Sequence, residues 1–313
     1  MKKKALILIL FLFIIPLFSC SKKIELFNNI YAFGTVIEIK ITDDKERIDD
    51  IYKNVSDILY LYDHLSDNFR EYGNNVYVIN NSDDFVEVDE RLIELLKYSL
   101  YLEDITDGYF NPLVGSISQI YRDIIESGGS VDDETKEKEA SKIANAKLII
   151  EGSKVKIEGE AKLDLGAIAK GYAIEKVKEY LINNKVKEYL ITGGYSTITC
   201  GSRKGDYYKI GMLYDDKILY VKNKTIGCSS INEQKSDDNV YTHIINPFTC
   251  SATPLYESVY FIGDDAGLVD GLTTASMLVS EEKIKEFASK YNLEYMIYYL
   301  DGKVVTSSGD HYE

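Results

Sequence analysis

Apolar and polar positions alternate from Tyr31 to Ile41 around Gly34, the period of a half-buried strand. Glu46 to about Tyr62 then takes the 3.6-residue period of an amphipathic helix, and Arg91 to Ile105 repeats it. Gly108-Tyr109-Phe110-Asn111-Pro112 is a turn into a further apolar-periodic segment, Leu113 to Ile125. Gly128-Gly129 separates that segment from a charged helical stretch ending at Ile143, and Leu148 to Ile157 reads as a hairpin about Gly152-Ser153. Residues 163 to 181, LDLGAIAKGYAIEKVKEYL, run from a short apolar strand-like segment through small residues into an amphipathic helix. Strand-like runs follow at Tyr189 to Thr192, Tyr207 to Leu213 and Leu219 to Lys222. The last third predicts a strand at Ser258 to Ile262, helices at Ala266 to Val279 and Glu282 to Tyr291, and strands near Tyr295 to Tyr299 and Val304 to Thr306. No internal repeat or low-complexity linker interrupts this order. Helices mixed with mostly hairpin-connected strands predict an α+β fold of mostly antiparallel sheets flanked by helices.

The first residues follow a different pattern. Lys2-Lys3-Lys4 precedes the apolar run Ala5 to Phe18, which is short for a membrane span and suits a signal-peptide core. Leu17-Phe18-Ser19-Cys20 then has the form of a lipoprotein cleavage site. This predicts a signal peptide over residues 1–19 and one domain over 20–313, tied to a membrane through lipid on Cys20. Ser21 follows in place of an Asp retention signal, so a periplasm-facing anchor is expected, at the inner leaflet of an outer membrane or the outer face of an inner one. The remaining thiols, Cys200, Cys228 and Cys250, are odd in number, form no CxxC pair and have no His beside them. They are expected to be structural, and the fold to rest on its hydrophobic core. A net charge of −15 with no basic patch excludes a general nucleic-acid binder, because phosphate backbones would be repelled. It would favour a divalent cation.

Candidate chemistry begins at residues 163 to 181. Gly166 and Ala167 let a ligand approach the backbone, the helix N-terminus favours an anion, Lys170 adds a full charge, and Asp164 lies just before them. The same pattern also serves purely structural crossovers. Asp270, Thr273 and Thr274 lie in the helical run Ala266 to Val279, and Asp270 and Thr274, at i and i+4, project from one face. Such hard oxygen ligands suit Mg²⁺, which keeps positions for water and substrate phosphates. In Tyr241-Thr242-His243-Ile244-Ile245-Asn246-Pro247, His243 is a candidate general base or a packed capping residue. Gly193-Gly194 is a strand exit that a ligand or backbone can approach closely, and Tyr109-Phe110 can stack on a flat ring or anchor the core.

Taken in order, these segments resemble the ApbE family of FAD:protein FMN transferases. The resemblance runs through Phe33-Gly34-Thr35, Gly108-Tyr109-Phe110-Asn111, DLGAIAKGYA, Thr192-Gly193-Gly194, HIINP and Asp270 to Ala275. It implies Mg²⁺-dependent cleavage of the FAD pyrophosphate, with FMN passed to a Thr hydroxyl of an acceptor protein and AMP released. By position it assigns Mg²⁺ to the Ala167 carbonyl, Asp270, Thr274 and Thr273. It assigns FAD to Phe33, Asn68, Tyr109, Phe110, Asn111, Asp164, Lys170 and the backbone near Ile244, and proton abstraction to His243. Three departures stand out. Ser66-Asp67-Asn68 lies where relatives have Ser-Thr-Tyr, Asn111 replaces a usual Asp, and Cys250 occupies a usual Gly position. Loss of the ring at 68 would loosen the flavin site and admit water, giving FAD pyrophosphatase activity, unless Phe69 or Tyr72 substitutes for it. The alternative to an enzyme is a lipoprotein that binds FAD for storage or delivery.

Overall fold

Gly34 reverses the chain instead of sitting within one strand. The computed structural model describes residues 22–194, 196–212, 217–232, 235 and 241–307. In it, β1 (Lys23–Ala32) and β2 (Thr35–Asp44) pair antiparallel, with Ala32 opposite Thr35. Phe33 and Gly34 form the two-residue loop, with φ of 54° and 71°. Two positive φ values match the twist of the flanking strands. Ile30 and Ala32 before the turn and Ile37, Ile39 and Ile41 after it are buried, so each run alternates by itself and the phase shifts by one residue across the reversal. Phe-Gly also lacks the Asn-Gly or Asp-Gly signal of such turns.

The chain continues through α1 (Ile48–Ser66), α2 (Val76–Asn80), β3 (Val86–Glu87), α3 (Glu90–Ile105), α4 (Gly115–Ser127) and α5 (Asp133–Asn145). A hairpin, β4 (Lys147–Glu151) and β5 (Lys154–Glu158), pairs with β3 in a small sheet. Then come α6 (Ala169–Asn183), β6 (Glu188–Gly193), β7 (Thr197–Cys200), β8 (Tyr208–Gly211), β9 (Ile218–Val221), β10 (Lys224–Ser230) and β11 (Tyr256–Gly263). The last elements are α7 (Ala266–Ser276), α8 (Glu281–Tyr291), β12 (Glu294–Tyr299) and β13 (Val304–Thr306). Eight strands form the main sheet in the order β1-β2-β6-β7-β10-β11-β12-β13, every neighbouring pair antiparallel. This is the expected α+β architecture. Five elements had no clear sequence signal: β1, α2, β3, β7 and β10.

Both faces of the sheet are covered. On β11, Val259 and Phe261 join the core under α7 and α8, whereas Tyr260 and Ile262 join a second core with Leu219 and Val221 of β9. The largest core lies between β2, β6 and the helices α1, α3 and α6. Asp89, Asp132, Asp265 and Ser280 cap α3, α5, α7 and α8 by accepting backbone N–H bonds. The acidic run at Asp132 is thus a helix start. Cys200, Cys228 and Cys250 are buried, and burial pushes the Cys200 and Cys250 thiols up to about 11. Among the described residues no helix is long and apolar enough to cross a membrane. Cys20 and the signal segment lie outside the described residues.

Candidate active site

The segment before α6 is a loop, not the expected strand. Asn80 donates its side-chain amide to the Leu163 carbonyl and accepts from the Leu163 amide, and Asp164 N–H bonds to the Pro112 carbonyl. These contacts satisfy the backbone without a sheet partner. Residues 166 to 168 turn into α6, whose third residue, Gly171, donates its N–H to Asp270 Oδ2 at 3.0 Å. The helix end expected to receive an anion therefore holds a carboxylate of the protein itself. A Cβ on Gly171 would lie 2.4 Å from Asp270 Cβ, so this helix pair approaches as closely as it does only because residue 171 is Gly.

Asp270 gathers two more groups. Thr197 on β7 donates to its Oδ1 at 2.7 Å, and Lys170 Nζ lies 3.4 Å from both carboxylate oxygens. Lys170 also donates to Thr197 Oγ1 at 2.7 Å. Gly193 makes room for the Lys170 stem, because a Cβ there would lie 3.2 Å from Lys170 Cδ. Asp270 is buried, and pairing with a cation and hydrogen bonding to Thr197 and Gly171 make a buried carboxylate tenable.

Helix α7 is fixed at its start by Asp265, which caps Leu268 N–H, and by Glu175 of α6, which accepts from Ala266 N–H at 2.6 Å. Tyr98 of α3 donates to Asp265 at 3.2 Å. Burial pushes the Glu175 carboxyl above the usual range. One turn on, the Thr273 hydroxyl donates to the Asp270 carbonyl at 2.8 Å and accepts from Ser229 of β10 at 3.0 Å. Thr274 lies 3.4 Å from Ser229 and is the partly exposed member of the pair, Thr273 being fully buried. No group of three His, Cys, Asp or Glu side chains suited to a metal occurs among the described residues. One carboxylate among hydroxyl oxygens fits a hard cation that draws its other ligands from water and phosphate, and does not fit zinc.

Asp164 faces a different set of groups. Ser118 of α4 donates to Oδ2 at 2.6 Å, Gly166 N–H donates to Oδ1 at 2.8 Å, and Arg122 approaches Oδ2 at 3.4 Å. The Arg122 guanidinium also lies over the Phe69 ring, 4.3 Å from its centre. Phe69 is half exposed, beside the partly exposed Asn68, in a loop shaped by Asp67 accepting from the Phe69 and Arg70 amides. Tyr72 instead stacks on His64 at 4.2 Å. Phe33 donates its N–H to Asp63 Oδ1 at 2.6 Å, a contact that holds a bulky residue at positive φ.

The turn after α3 meets the loop 241–251. Phe110 is buried in the main core and its N–H bonds to Thr106, while the Tyr109 ring meets Phe248 edge to face at 5.1 Å. Asn111 accepts from Leu113 N–H and donates to Glu103 Oε1 at 2.9 Å. In the loop, Thr242 Oγ1 accepts from Ile244 N–H, Asn246 Oδ1 accepts from Phe248 N–H, and the Asn246 carbonyl accepts from Cys250 N–H. His243 is partly buried in this loop, beside the buried Ile244. A cavity of about 290 Å³ opens between this loop, α5 and the Gly108–Asn111 turn.

A model of the ApbE family matches residues 33–297. The chain belongs to the ApbE family. An ApbE protein of Thermotoga maritima has the same fold at a TM-score of 0.79 and 23% identity, covering 91% of this chain and 97% of that one. The flavin transferase ApbE of Vibrio cholerae follows at 0.76 and 20%, covering 92% and 98%. The apo flavinyl transferase ApbE of Pseudomonas stutzeri gives 0.78 and 18%, covering 92% and 96%. At these identities the likeness is one of fold. No curated protein sequence matches the chain.

In this ApbE chain the fold brings Lys170 and Asp270 into contact across 100 residues and sets Thr273 and Thr274 one turn away. Ala167 sits in the turn that opens α6, and Asp164 begins the same loop. Cys250 has φ of 52°, a left-handed conformation that favours Gly, and its carbonyl accepts from Tyr121 at 2.8 Å. Sequence reasoning missed Thr197, Ser229, Ser118, Arg122 and Glu103. Thr197 and Ser229 look like ordinary strand residues, and only strand order places them beside α7. Arg122 and Ser118, at i and i+4, share one face of α4, a readable spacing whose partner Asp164 is not adjacent in sequence.

Proposed function

We propose that this protein cleaves the pyrophosphate of FAD in a Mg²⁺-dependent reaction, transferring FMN to a Thr hydroxyl of an acceptor protein and releasing AMP. The supporting observation is the Asp270 cluster, where a buried carboxylate, Lys170 and the α6 N-terminus meet beside the hydroxyls of Thr273 and Thr274. In this reading Asp270, Thr274 and the Ala167 carbonyl hold Mg²⁺, with Thr273 as a further ligand. Bound there, the ion neutralises phosphate charge and orients the pyrophosphate. Lys170 contacts a phosphate oxygen and offsets charge on the departing AMP. His243 takes the proton as the Thr oxygen forms its bond to the FMN phosphorus and the bridging P–O bond to AMP breaks. Asp164, Phe33, Asn68, Tyr109, Phe110, Asn111 and the Ile244 backbone bind and orient FAD.

Water can replace the Thr hydroxyl, giving FMN and AMP. The partly exposed Asn68 beside half-exposed Phe69 favours this second activity, since no ring at 68 closes the site. The protein is further proposed to be a lipoprotein held at a periplasm-facing membrane surface through Cys20. Incubation with FAD and Mg²⁺, with and without a Thr-containing acceptor protein, tests the enzymatic reading. AMP release is expected, and Asp270→Asn should lower it on the order of 100-fold. Intact FAD after long incubation would instead favour a protein that only stores or delivers the cofactor.

A further inference from the structure

The side of the main sheet away from α1 and α6 is covered unevenly. Over β7, β10 and β11 it packs on β9, Leu219 and Val221 joining Ile226, Tyr260 and Ile262 in one core. Over β1 and β2 the side chains stay in solvent. In the hairpin register Tyr31 stands opposite Val36 and Phe27 opposite Lys40, on the side away from the buried Ile37, Ile39 and Ile41. Phe27 is 63%, Tyr31 68% and Val36 45% exposed. Large apolar residues are usually scattered singly over a protein surface, and three on one side of a two-stranded ribbon mark a contact surface. The same side is close to charge balance. Lys23, Glu25, Glu38, Lys40 and Asp44 share it, two cations and three anions, and Lys40 pairs with Glu25 at 3.2 Å. The chain as a whole carries a charge of −15, so an anionic surface repels this side less than the average surface of the molecule.

We propose that this side of the β1–β2 hairpin rests on the phospholipid bilayer, with Phe27, Tyr31 and Val36 in the headgroup layer. The assignment rests on the lipoprotein reading above and deepens it by fixing which side of the molecule meets the membrane. Position in the chain selects a bilayer as the occupant. Strand β1 opens at Lys23, and three residues span at most about 11 Å, so lipid on Cys20 would hold the start of the strand within that distance of the bilayer. At about 3.3 Å per residue Phe27 lies about 13 Å and Tyr31 about 26 Å further along, so both reach the headgroups when the strand lies along the surface. Aromatic rings suit this layer, where an apolar body and a polar surrounding are both satisfied.

The chain contains no Trp, so Phe27→Trp introduces a single indole. The full chain, purified from the membrane fraction, is reconstituted in vesicles of phosphatidylcholine and phosphatidylglycerol with or without brominated acyl chains. Brominated lipid should cut the Phe27→Trp emission about twofold and leave Leu300→Trp, 61% exposed near the opposite edge of the sheet, unchanged. Tyr31→Trp should repeat the loss, and serves if Phe27→Trp does not fold. Equal quenching at positions 27 and 300, or none at either, would overturn the assignment. Light scattering of the chain from Lys22 onward, which holds every element of the fold, should show a monomer in buffer. A dimer that Phe27→Ser with Tyr31→Ser separates would give this side to a second copy and overturn the bilayer contact. Intact mass of the reconstituted sample reports whether Cys20 carries lipid and keeps the two levels apart. A lipidated chain without contrast between positions 27 and 300 rejects the hairpin contact alone, whereas a chain without lipid that is still quenched at position 27 keeps the contact and rejects the anchor.

Discussion

Asp270 bonds to a helix amide, a threonine hydroxyl and a lysine from three separate elements, and its helix supplies the two hydroxyls beside it. Residues that were plausible singly come together because a buried carboxylate must find donors, and among the described residues those it finds belong to α6 and β7. Asn68 poses the opposite case, a residue defined by what it lacks. Phe69 has the cationic face of Arg122 against it and, through Arg122, a link to Asp164, whereas Tyr72 is committed to His64. Both neighbouring rings are thus engaged by other partners, which leaves position 68 without one. Replacing Asn68 by Tyr should slow FAD hydrolysis and retain bound flavin longer, read by AMP release and by flavin fluorescence after gel filtration. No change in either would show that the residue at 68 does not control water access.

Among the elements, α6 and α7 matter most, since their contact sets the Asp270 geometry. Gly171→Ala places a Cβ inside the Asp270 side chain and should cost about 1–3 kcal/mol of stability while reducing FAD turnover, because the helices must separate. Chemical denaturation and turnover of the same variant check this; a native-like unfolding midpoint would mean the contact relaxes freely. Helix α3 carries a pH-dependent cap. Asp89 accepts from Arg91 N–H at 2.9 Å and from the Arg91 side chain, which holds its carboxyl at about 2, below the ordinary 3.8. A lowered folded-state value stabilises above about pH 3.8 and ceases to do so as pH falls toward 2. Asp89→Ala should cost about 1 kcal/mol near neutrality, and its difference from the native protein should shrink across that window. Thermal melts from pH 6 downward measure it, and a constant difference would contradict the cap.

At the scale of the molecule, the main sheet begins at Lys23, three residues after Cys20. The proposed lipid anchor would therefore keep the folded body close to the membrane surface. Cys20→Ser should move the protein from the membrane fraction to the soluble fraction of the producing cell, seen by fractionation and immunoblot. Retention in the membrane would reject anchorage through this residue.

Much of the architecture was legible because helices and half-buried strands write their period into the chain. The runs at 46–62, 91–105 and 266–279 became α1, α3 and α7 with small shifts of boundary. Strands β7 and β10 were not legible. Thr197–Cys200 is short, and Lys224–Ser230 is buried along nearly its whole length, so neither shows a clean alternation. Residue spacing alone determined that Asp270 and Thr274 share a helix face, and composition predicted that the core would form without disulfides. Only the tertiary structure decided that Asp270 meets Lys170 and Thr197, that Arg122 joins Phe69 to Asp164, and that Glu103 lies beside Asn111 in a cavity. Local sequence encodes period and capping, which act over a few residues. The site instead depends on which buried polar groups satisfy one another across strands and helices far apart in the chain, and that follows from sheet order and close packing.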